Sequence, residues 1–361
     1  MFNIKLKIKN YFFKKKLIVE IPILPFKELP DVWIGDKKNG QIILQNINSI
    51  DKVFNLNSFG FIRDLKSLGT LETRSIARKI VDLWIDKNQN FLSPSFGISF
   101  LSDRIVNICF TYSWFAKSGN INFKNRLLKF LCQQMKIQEL NIKLINNDND
   151  RFKILKSLTI GNIFLFNEKE KILFYLKQIE IITKKLILKD GGHVSRNPRK
   201  QLKLLRELIE IRAATASIPE INNSNLHKNV NLMSKFFKMF CMPDGSYCFF
   251  NGGSLIQKLE IYETLKRIGK PSKNFEIASF SGYCKFNNKS MILCLDLGTK
   301  ESFNLTDNFV NKASVCSFEL YYKKQKLITN LGDLKINNNL NSILSLASSA
   351  AHSTLIIDDF I

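Results

Sequence analysis

Long stretches of helical apolar spacing run through the middle of the chain and constrain its fold more than any other feature. From Ser58 onward, apolar side chains recur every three or four positions, as at Leu65, Leu68, Ile76 and Ile80. Further helical patterns follow at about 122–137, 151–165, 169–187, 199–215, 225–240 and 254–267. Consecutive helices with short connections and no strand between them predict a helical array or toroid.

The pattern changes near residue 276. Short apolar or alternating runs follow, in ASFSGYCKFNNKSMILCLDLGT, ASVCSFELYYKKQKLITNLGD and AAHSTLIIDD, and they are bounded by Asn, Gly and Asp. Such runs are typical of antiparallel strands joined by turns. Gly269 and Pro271 mark the boundary. We therefore expect an N-terminal extension over residues 1–55, a helical domain over 56–272 and a β-rich domain over 273–361.

The charge of the chain narrows the class of partner. With 361 residues, 45% of them hydrophobic, the sequence predicts a folded protein with two substantial cores. The 54 Lys and Arg exceed the 31 Asp and Glu and give a net charge of +23. This charge would attract phosphates, anionic lipids or acidic polysaccharides, and its sign alone does not choose among them. The alternative is that the lysines only solvate the outer faces of the helices.

The cysteines and the N-terminus bear on the compartment. The chain has 7 cysteines without a CxxC pair, which favours reduced thiols over a disulfide framework or a zinc site. Lysines interrupt the N-terminal apolar residues, so the pattern lacks the apolar core of a signal peptide. We expect no membrane span and, from the sequence, a cytoplasmic chain. Phe12, Phe13 and the run Lys14–Lys16 offer a lesser alternative, contact with an anionic membrane surface.

The segment KDGGHVSRNPRK, residues 189–200, concentrates unusual residue types in a short span. Two adjacent glycines permit backbone angles that other residues avoid, and Pro198 opposes helix at Asn197. The segment therefore predicts a loop of fixed shape between helices, and it contains one of the 3 histidines of the chain. Two interpretations stay open, a loop that carries chemistry and a turn whose polar groups satisfy backbone hydrogen bonds.

The order of four motifs resembles that of a known family. DGGHVSRNP in a late interhelical loop, then DGSYCFFNGG, then SFEL on a strand and AAHSTLIIDD after it resemble the heparinase II/III-like family of bacterial polysaccharide lyases. The resemblance covers most of the chain, including FGFIRDLKSLGT and VDLWI in the first helices. It implies an incomplete (α/α) toroid followed by an antiparallel β-sandwich. It also implies an anionic polysaccharide substrate, β-elimination at uronic acid residues and, for such a substrate, a periplasmic location.

β-Elimination defines the side chains that such a site needs. The carbanion at C5 of a uronate develops beside a carboxylate, so an Asn, Arg or His must neutralise that carboxylate. A Tyr or His must take the proton, and a Tyr can return one to the departing oxygen. Neither a metal nor an organic cofactor is required by this scheme, and we expect none.

The resemblance assigns roles to five residues. It implies carboxylate neutralisation by Asn197 or Arg196 and a role as base or in binding for His193. Tyr247, in the DGSYCFFNGG segment, is the candidate for both base and acid, and Asn251 is a neighbour that binds substrate. The alternative for Tyr247 is core packing, because tyrosines in runs such as YCFF commonly pack in a core.

Two departures from the family pattern, at Lys312 and at the end of the β-pattern, bear on activity, and His352 is a further match. Many members carry a histidine shortly before the SFEL strand, where this chain has Lys312. Lysine could bind a carboxylate but is a poor proton acceptor unless its pKa is strongly lowered. His352, in AAHSTLIIDD, matches a family histidine and is expected to contact substrate, with a structural role as the alternative. The β-pattern ends early, at Ile361, and would leave a sandwich truncated.

Two other functions compete with a lyase. The first is a non-catalytic protein that binds anionic glycan on the same fold. The second is a nucleic-acid-binding protein, suggested by the net charge of +23 and the stretch KNYFFKKK. The sequence contains no RNP-like motif, zinc knuckle or helix-turn-helix signature, and we do not expect nucleic acid as the partner.

Overall fold

The computed structural model describes residues 17–47, 55–269, 276–298, 316–332 and 348–354. The chain forms two compact units. The first combines Met1–Ile182 with Glu210–Asn222, and the second combines Thr183–Ile209 with Asn223–Ile361. The domain limits drawn from the sequence, after residues 55 and 272, stay a prediction.

The described residues contain ten α-helices and five β-strands. The helices are α1 Lys37–Gln45, α2 Phe61–Leu68, α3 Leu71–Lys87, α4 Ile98–Phe115, α5 Ile121–Asn141, α6 Asp148–Leu165, α7 Lys169–Leu186, α8 Pro198–Thr215, α9 Ser224–Phe240 and α10 Lys258–Ile268. The strands are β1 Ile277–Ala278, β2 Tyr283–Asn287, β3 Met291–Asp296, β4 Phe318–Tyr322 and β5 Gln325–Ile328. The predicted fold class, helices followed by an antiparallel sheet, is confirmed.

The core of the first unit is built around α4 and α6, which are buried on nearly all sides. Their buried residues lie on several faces of the helix rather than on one stripe, as expected of helices enclosed by others. Lys156 of α6 is nevertheless buried, and its Nζ lies 3.1 Å from Oε2 of Glu210. The other oxygen of Glu210 accepts a hydrogen bond of 2.9 Å from Nε1 of Trp33. The Glu210 carboxylate therefore compensates the buried charge of Lys156 inside the helical core.

The second unit contains the sheet, whose strands follow the order β1-β2-β3-β4-β5 with every neighbouring pair antiparallel. Side chains alternate between its two faces, so that Tyr283, Asp296, Glu319 and Tyr321 point to one buried side. Within the described residues, the predicted runs over 278–299 and 313–333 therefore contain strands. The described start of AAHSTLIIDD begins in the 3₁₀ turn Ser349–Ala351 rather than in a strand, and its end, residues 355–359, lies outside the described residues.

Two further observations concern membrane spans and thiols. Across the described ranges, no helix combines the length and the apolar content that crossing a bilayer requires. All seven cysteines are free thiols, and only Cys316 is exposed. Most of the thiols therefore serve as small apolar side chains in the cores.

Candidate functional site

The DGGH segment forms a tight turn directly after α7. Its two sides are joined by hydrogen bonds from the Leu188 N–H to the Gly192 carbonyl (2.8 Å) and from the Val194 N–H to the Leu186 carbonyl (2.9 Å). Gly191 has a φ of +91°, in the region that favours glycine. A Cβ added at Gly192 would overlap the Ser281 hydroxyl. The two glycines are thus required for different reasons, one for backbone angle and one for close approach.

Asp190 fastens this turn to the segment that precedes β2. Its Oδ2 accepts a hydrogen bond of 2.6 Å from the Ser281 N–H, and its Oδ1 accepts one of 2.6 Å from the Ser281 hydroxyl. Oδ1 also accepts the Gly192 N–H at 3.1 Å. The carboxylate is buried and its oxygens are occupied by donors of the fold.

Arg196 continues the same junction. Its Nε donates to the Ser281 carbonyl at 2.8 Å, and its Nη2 pairs with Oδ1 of Asp296 at the end of β3. The guanidinium carbon lies 4.9 Å from the ring centroid of Tyr283. Burial lowers the pKa of Arg196, but the neighbouring Tyr283 and Asp296 outweigh that effect and raise the pKa above its ordinary value. The cation predicted to meet substrate is therefore neutralised by a buried carboxylate.

Asn197 is the N-cap of α8. Its Oδ1 accepts the N–H groups of Arg199 (2.8 Å) and Lys200 (3.1 Å), and Pro198 occupies the first position of the helix. Its Nδ2 donates to the Asn251 carbonyl at 2.9 Å. Both halves of the Asn197 amide are thus engaged in the fold.

Asn251 joins the FNGG turn to the same network. Its Nδ2 donates to the Tyr283 hydroxyl at 2.6 Å and to Oδ2 of Asp296 at 2.7 Å. The Tyr283 hydroxyl in turn donates to the Arg196 carbonyl at 2.6 Å. Burial is the largest cause that raises the pKa of Tyr283 well above its ordinary value, so this hydroxyl stays protonated.

Sequence reasoning did not single out Tyr283 and Asp296, although both complete the network. The signal for Asp296 was present in the strand MILCLD, where one carboxylate ends an otherwise apolar run. A buried carboxylate needs a donor or a cation, which indicates a partner such as Arg196. Tyr283 offered no comparable signal, because strands commonly contain tyrosine.

His193 is buried, and its Nδ1 accepts a hydrogen bond of 3.0 Å from the Ser195 N–H. Because Nδ1 accepts this hydrogen bond, the one ring proton of the neutral imidazole lies on Nε2. Burial, with a smaller contribution from Lys200, lowers the pKa of His193 to about 3. The imidazole is therefore neutral at pH 7 and presents an N–H donor at Nε2 rather than a basic nitrogen.

Tyr247 packs in an aromatic cluster. Its ring centroid lies 5.3 Å from that of Phe237 and 5.7 Å from that of Phe240, and the residue is 2% exposed. Its hydroxyl has no hydrogen-bond partner within the described part of the chain. Burial raises the pKa of Tyr247 well above its ordinary value. The structure thus gathers His193, Arg196, Asn197 and Asn251 around one junction and packs Tyr247 in the core.

The two remaining predicted residues fall in different parts of the chain. Lys312 lies outside the described residues. His352 is half-buried and follows the short 3₁₀ turn Ser349–Ala351. The next residue, Ser353, donates through its hydroxyl to the Phe318 carbonyl at the start of β4. The roles assigned to both residues stay predictions.

Glu319 of the SFEL motif is a further buried carboxylate. Its Oε1 accepts the Phe249 N–H at 2.9 Å and the Thr329 hydroxyl at 3.0 Å, and its Oε2 lies 3.3 Å from Nζ of Lys326. These contacts attach the DGSYCFFNGG segment to β4 and β5.

Among the residues the structure describes, no group of three or more His, Cys, Asp or Glu side chains could hold a metal ion.

Comparison with known proteins agrees with the resemblance stated from the sequence. Residues 270–360 match the family described as Heparinase II/III-like, C-terminal. The crystal structure of Heparinase III is similar at a TM-score of 0.63 and 13% identity, covering 84% of this chain and 55% of that one. That of heparan sulfate lyase HepC from Pedobacter heparinus gives 0.56 and 15%, covering 84% and 53%.

A curated relative is not named as a polysaccharide lyase. FtsZ-localized protein C of Caulobacter vibrioides (strain NA1000 / CB15N) is 26% identical over 147 residues, which are 41% of this chain and 25% of that protein. The chain therefore spans about half of each solved structure and a quarter of this relative. The resemblance to the heparinase II/III-like family is confirmed, and so is the fold of helices followed by an antiparallel sheet.

Proposed function

We propose that this chain is a heparinase II/III-like protein that binds an anionic, uronic-acid-containing polysaccharide and does not cleave it. Under this proposal His193, Asn197 and Tyr247 are not catalytic residues. One observation carries the proposal. Two polar side chains of the DGGHVSRNP loop are engaged within the fold. Arg196 pairs with Asp296, and the Asn197 amide caps a helix and donates to the Asn251 carbonyl. β-Elimination requires these groups to face a substrate carboxylate and its C5 proton.

Glycan binding itself is supported by two further facts. The net charge of +23 favours a polyanion. The solved structures of similar fold include heparan sulfate lyase HepC, a protein named for its action on heparan sulfate. Both facts fit a binding protein and a lyase equally, and the engaged side chains of Arg196 and Asn197 are what favour the non-catalytic alternative.

The test combines binding with turnover on the full chain. Heparan sulfate, alginate and a neutral glycan would each be offered to the protein, and retention and ultraviolet absorbance of unsaturated product measured in parallel. Retention of the uronates without growth of absorbance would support the proposal. Growth of absorbance would contradict it. Because any polyanion binds a basic protein at low salt, single-stranded RNA would serve as competitor, and preferential retention of RNA would also contradict it.

β-Elimination is the second candidate, favoured by the similarity in fold to heparan sulfate lyase HepC. Under this candidate the residue at position 312 limits the rate, because a lysine stands where many family members have a histidine. Lys312→His should then raise the rate of product formation above that of the parent. An unchanged rate in this variant would count against the second candidate.

A proposal about where the chain is located in the cell comes from the curated relative. The curated relative is by name FtsZ-localized, and we propose that this chain shares that location. A fluorescent fusion expressed with labelled FtsZ would test it. A fusion distributed evenly through the cell would contradict the proposed location without bearing on glycan binding.

A further inference from the structure

A pocket of about 290 Å³ lies in the first unit, which contains none of the residues predicted to form the site. Its lining consists of Ile85, Gln89, Phe91, Arg126, Lys129, Phe130 and Gln133. These residues come from the end of α3, the segment after it and one side of α5. The lining combines apolar and cationic side chains with amides, as ligand pockets commonly do.

The apolar part of the lining is buried and fixed. Ile85, Phe91 and Phe130 are each buried in the core of the first unit. Phe96 holds both aromatic rings in place, with centroid distances of 5.0 Å to Phe91 and 6.4 Å to Phe130. The two rings are only 6% and 4% exposed, so they form the closed apolar floor of the pocket.

The polar part of the lining contains one cation that the fold leaves available. Arg126 is bound to Asp82 at 3.0 Å and also pairs with Asp86, so its charge is compensated. Lys129 is exposed and forms no ion pair with any other residue that the structure describes. Gln133 likewise makes no hydrogen bond through its side chain within the described ranges, and its amide can donate to or accept from a ligand.

A second positive charge is buried beside the pocket. The guanidinium carbon of Arg104 lies 5.8 Å from the ring centroid of Phe130, and Arg104 is 0% exposed. Within the described ranges this guanidinium forms no ion pair, and its Nη2 has no hydrogen-bond partner. An uncompensated cation in a medium of low dielectric constant acts on neighbouring charges more strongly than one in water. It favours an anion in the pocket that Phe130 also lines.

We propose that this pocket binds one uronate unit of a glycan. The sugar ring lies at the mouth of the pocket, above the buried rings of Phe91 and Phe130, where its carboxylate pairs with Lys129 and a hydroxyl group binds the Gln133 amide. The volume of about 290 Å³ is at the lower end for ligand pockets, which suits a single ring rather than an oligosaccharide. The inference rests on the proposed glycan binding for the nature of its ligand and on the pocket alone for its location.

The experiment follows amide NMR signals of the full chain during titration with glucuronate, with glucose and inorganic sulfate as comparison probes. Glucuronate should shift signals of the pocket residues more strongly than either probe. Lys129→Gln should weaken glucuronate binding about 1.4- to 5-fold, the range that corresponds to one exposed ion pair. Lys79→Gln, which removes an exposed lysine outside the pocket, is the matched control and should leave binding unchanged. Gln133→Trp, which fills the pocket, should abolish the shifts.

Each result bears on the proposal. Glucuronate shifts elsewhere in the chain, or shifts that Gln133→Trp leaves intact, would overturn it. Equal shifts with sulfate would indicate a general anion site and would overturn the assignment to a sugar. Retention of heparan sulfate by the wild-type chain distinguishes failure of the proposed glycan binding from failure of the proposed pocket. Retention without pocket shifts would leave the proposed function standing and end this inference, and pocket shifts without retention would do the reverse.

Discussion

The two units each bury an arginine, and the surroundings of these two side chains differ. Arg196 in the second unit pairs with Asp296 and donates to the Ser281 carbonyl. Arg104 in the first unit lies 4.4 Å from the Trp84 ring centroid and 5.0 Å from that of Phe96, and it donates to Gln134 and to backbone carbonyls. Burial lowers the pKa of Arg104 to about 9, whereas the pKa of Arg196 is raised.

The difference shows that a buried polar cluster is not by itself a sign of catalysis. The Arg196 junction looked like an active site in sequence because it concentrates His, Arg and Asn in one loop. Its charge is compensated, so little electrostatic field remains to act on a ligand. Arg104 drew no notice in the sequence, yet its charge lacks a carboxylate partner among the described residues and can favour an anion nearby.

The largest expected effect comes from breaking the compensated pair. Asp296→Ala leaves the Arg196 cation buried without its carboxylate and should lower the free energy of unfolding by about 3–5 kcal/mol. Denaturant unfolding of the variant measures the loss. Glu139→Ala, which breaks the partly exposed pair with Lys136, is the control and should cost about 0.2–1 kcal/mol. Similar losses in both variants would mean that the junction does not hold the loop to the sheet.

Arg104→Met should cost less than Arg196→Met, because it leaves no buried carboxylate unpaired. We expect a loss of about 1–3 kcal/mol for Arg104→Met from the unsatisfied carbonyl and amide oxygens that remain. Thermal or denaturant unfolding of the two variants side by side gives the comparison. A larger loss for Arg104→Met would contradict the distinction drawn between the two arginines.

The close approach of the loop to Ser281 predicts a steric effect. Gly192→Ala adds a Cβ that overlaps the Ser281 hydroxyl, and the displacement should cost about 1–3 kcal/mol. Gly60→Ala is the matched control, since its φ is −59° and its added Cβ would lie no closer than 3.5 Å to a neighbouring atom. Unfolding curves should separate the two alanine variants. If Gly192→Ala were as stable as the control, the loop would be free to move away from β2.

His193 predicts an effect of a different kind, on the pH dependence of stability. Its pKa is about 3 in the folded chain against an ordinary value of 6.5. Between these values the unfolded state binds a proton that the folded state does not, so stability falls as the pH drops below about 6.5. The wild-type chain should lose about 1.4 kcal/mol per pH unit in this range relative to His193→Gln. Parallel slopes for the two chains would show that the imidazole takes up its proton without unfolding.

The sequence predicted the helices well because their apolar spacing is local. The patterns at 151–165 and 199–215 match α6 and α8 within a few residues. The strands were predictable for the same reason, since alternation and turn residues are read over short windows. The glycines also predicted a shaped loop correctly, although the residue that Gly192 approaches, Ser281, could not be foreseen.

The site was harder to predict, because its partners are far apart in sequence. Nothing near Arg196 indicates that Asp296 pairs with it, and without that carboxylate the arginine looked available for substrate. The Tyr247 hydroxyl was a candidate base on resemblance alone, whereas its neighbours in YCFF already indicated a core position. Burial of that ring depends on how α9 packs against the loop, which no local pattern encodes.

The most direct test of the account is the initial rate at which wild-type chain and Tyr247→Phe form unsaturated product from heparan sulfate and alginate. The account predicts no rate above the protein-free blank for either chain, with both retaining the glycan equally. A wild-type rate above the blank that falls about 100-fold or more in Tyr247→Phe would contradict it. That result would restore Tyr247 as the base and show that the buried ring becomes accessible during turnover.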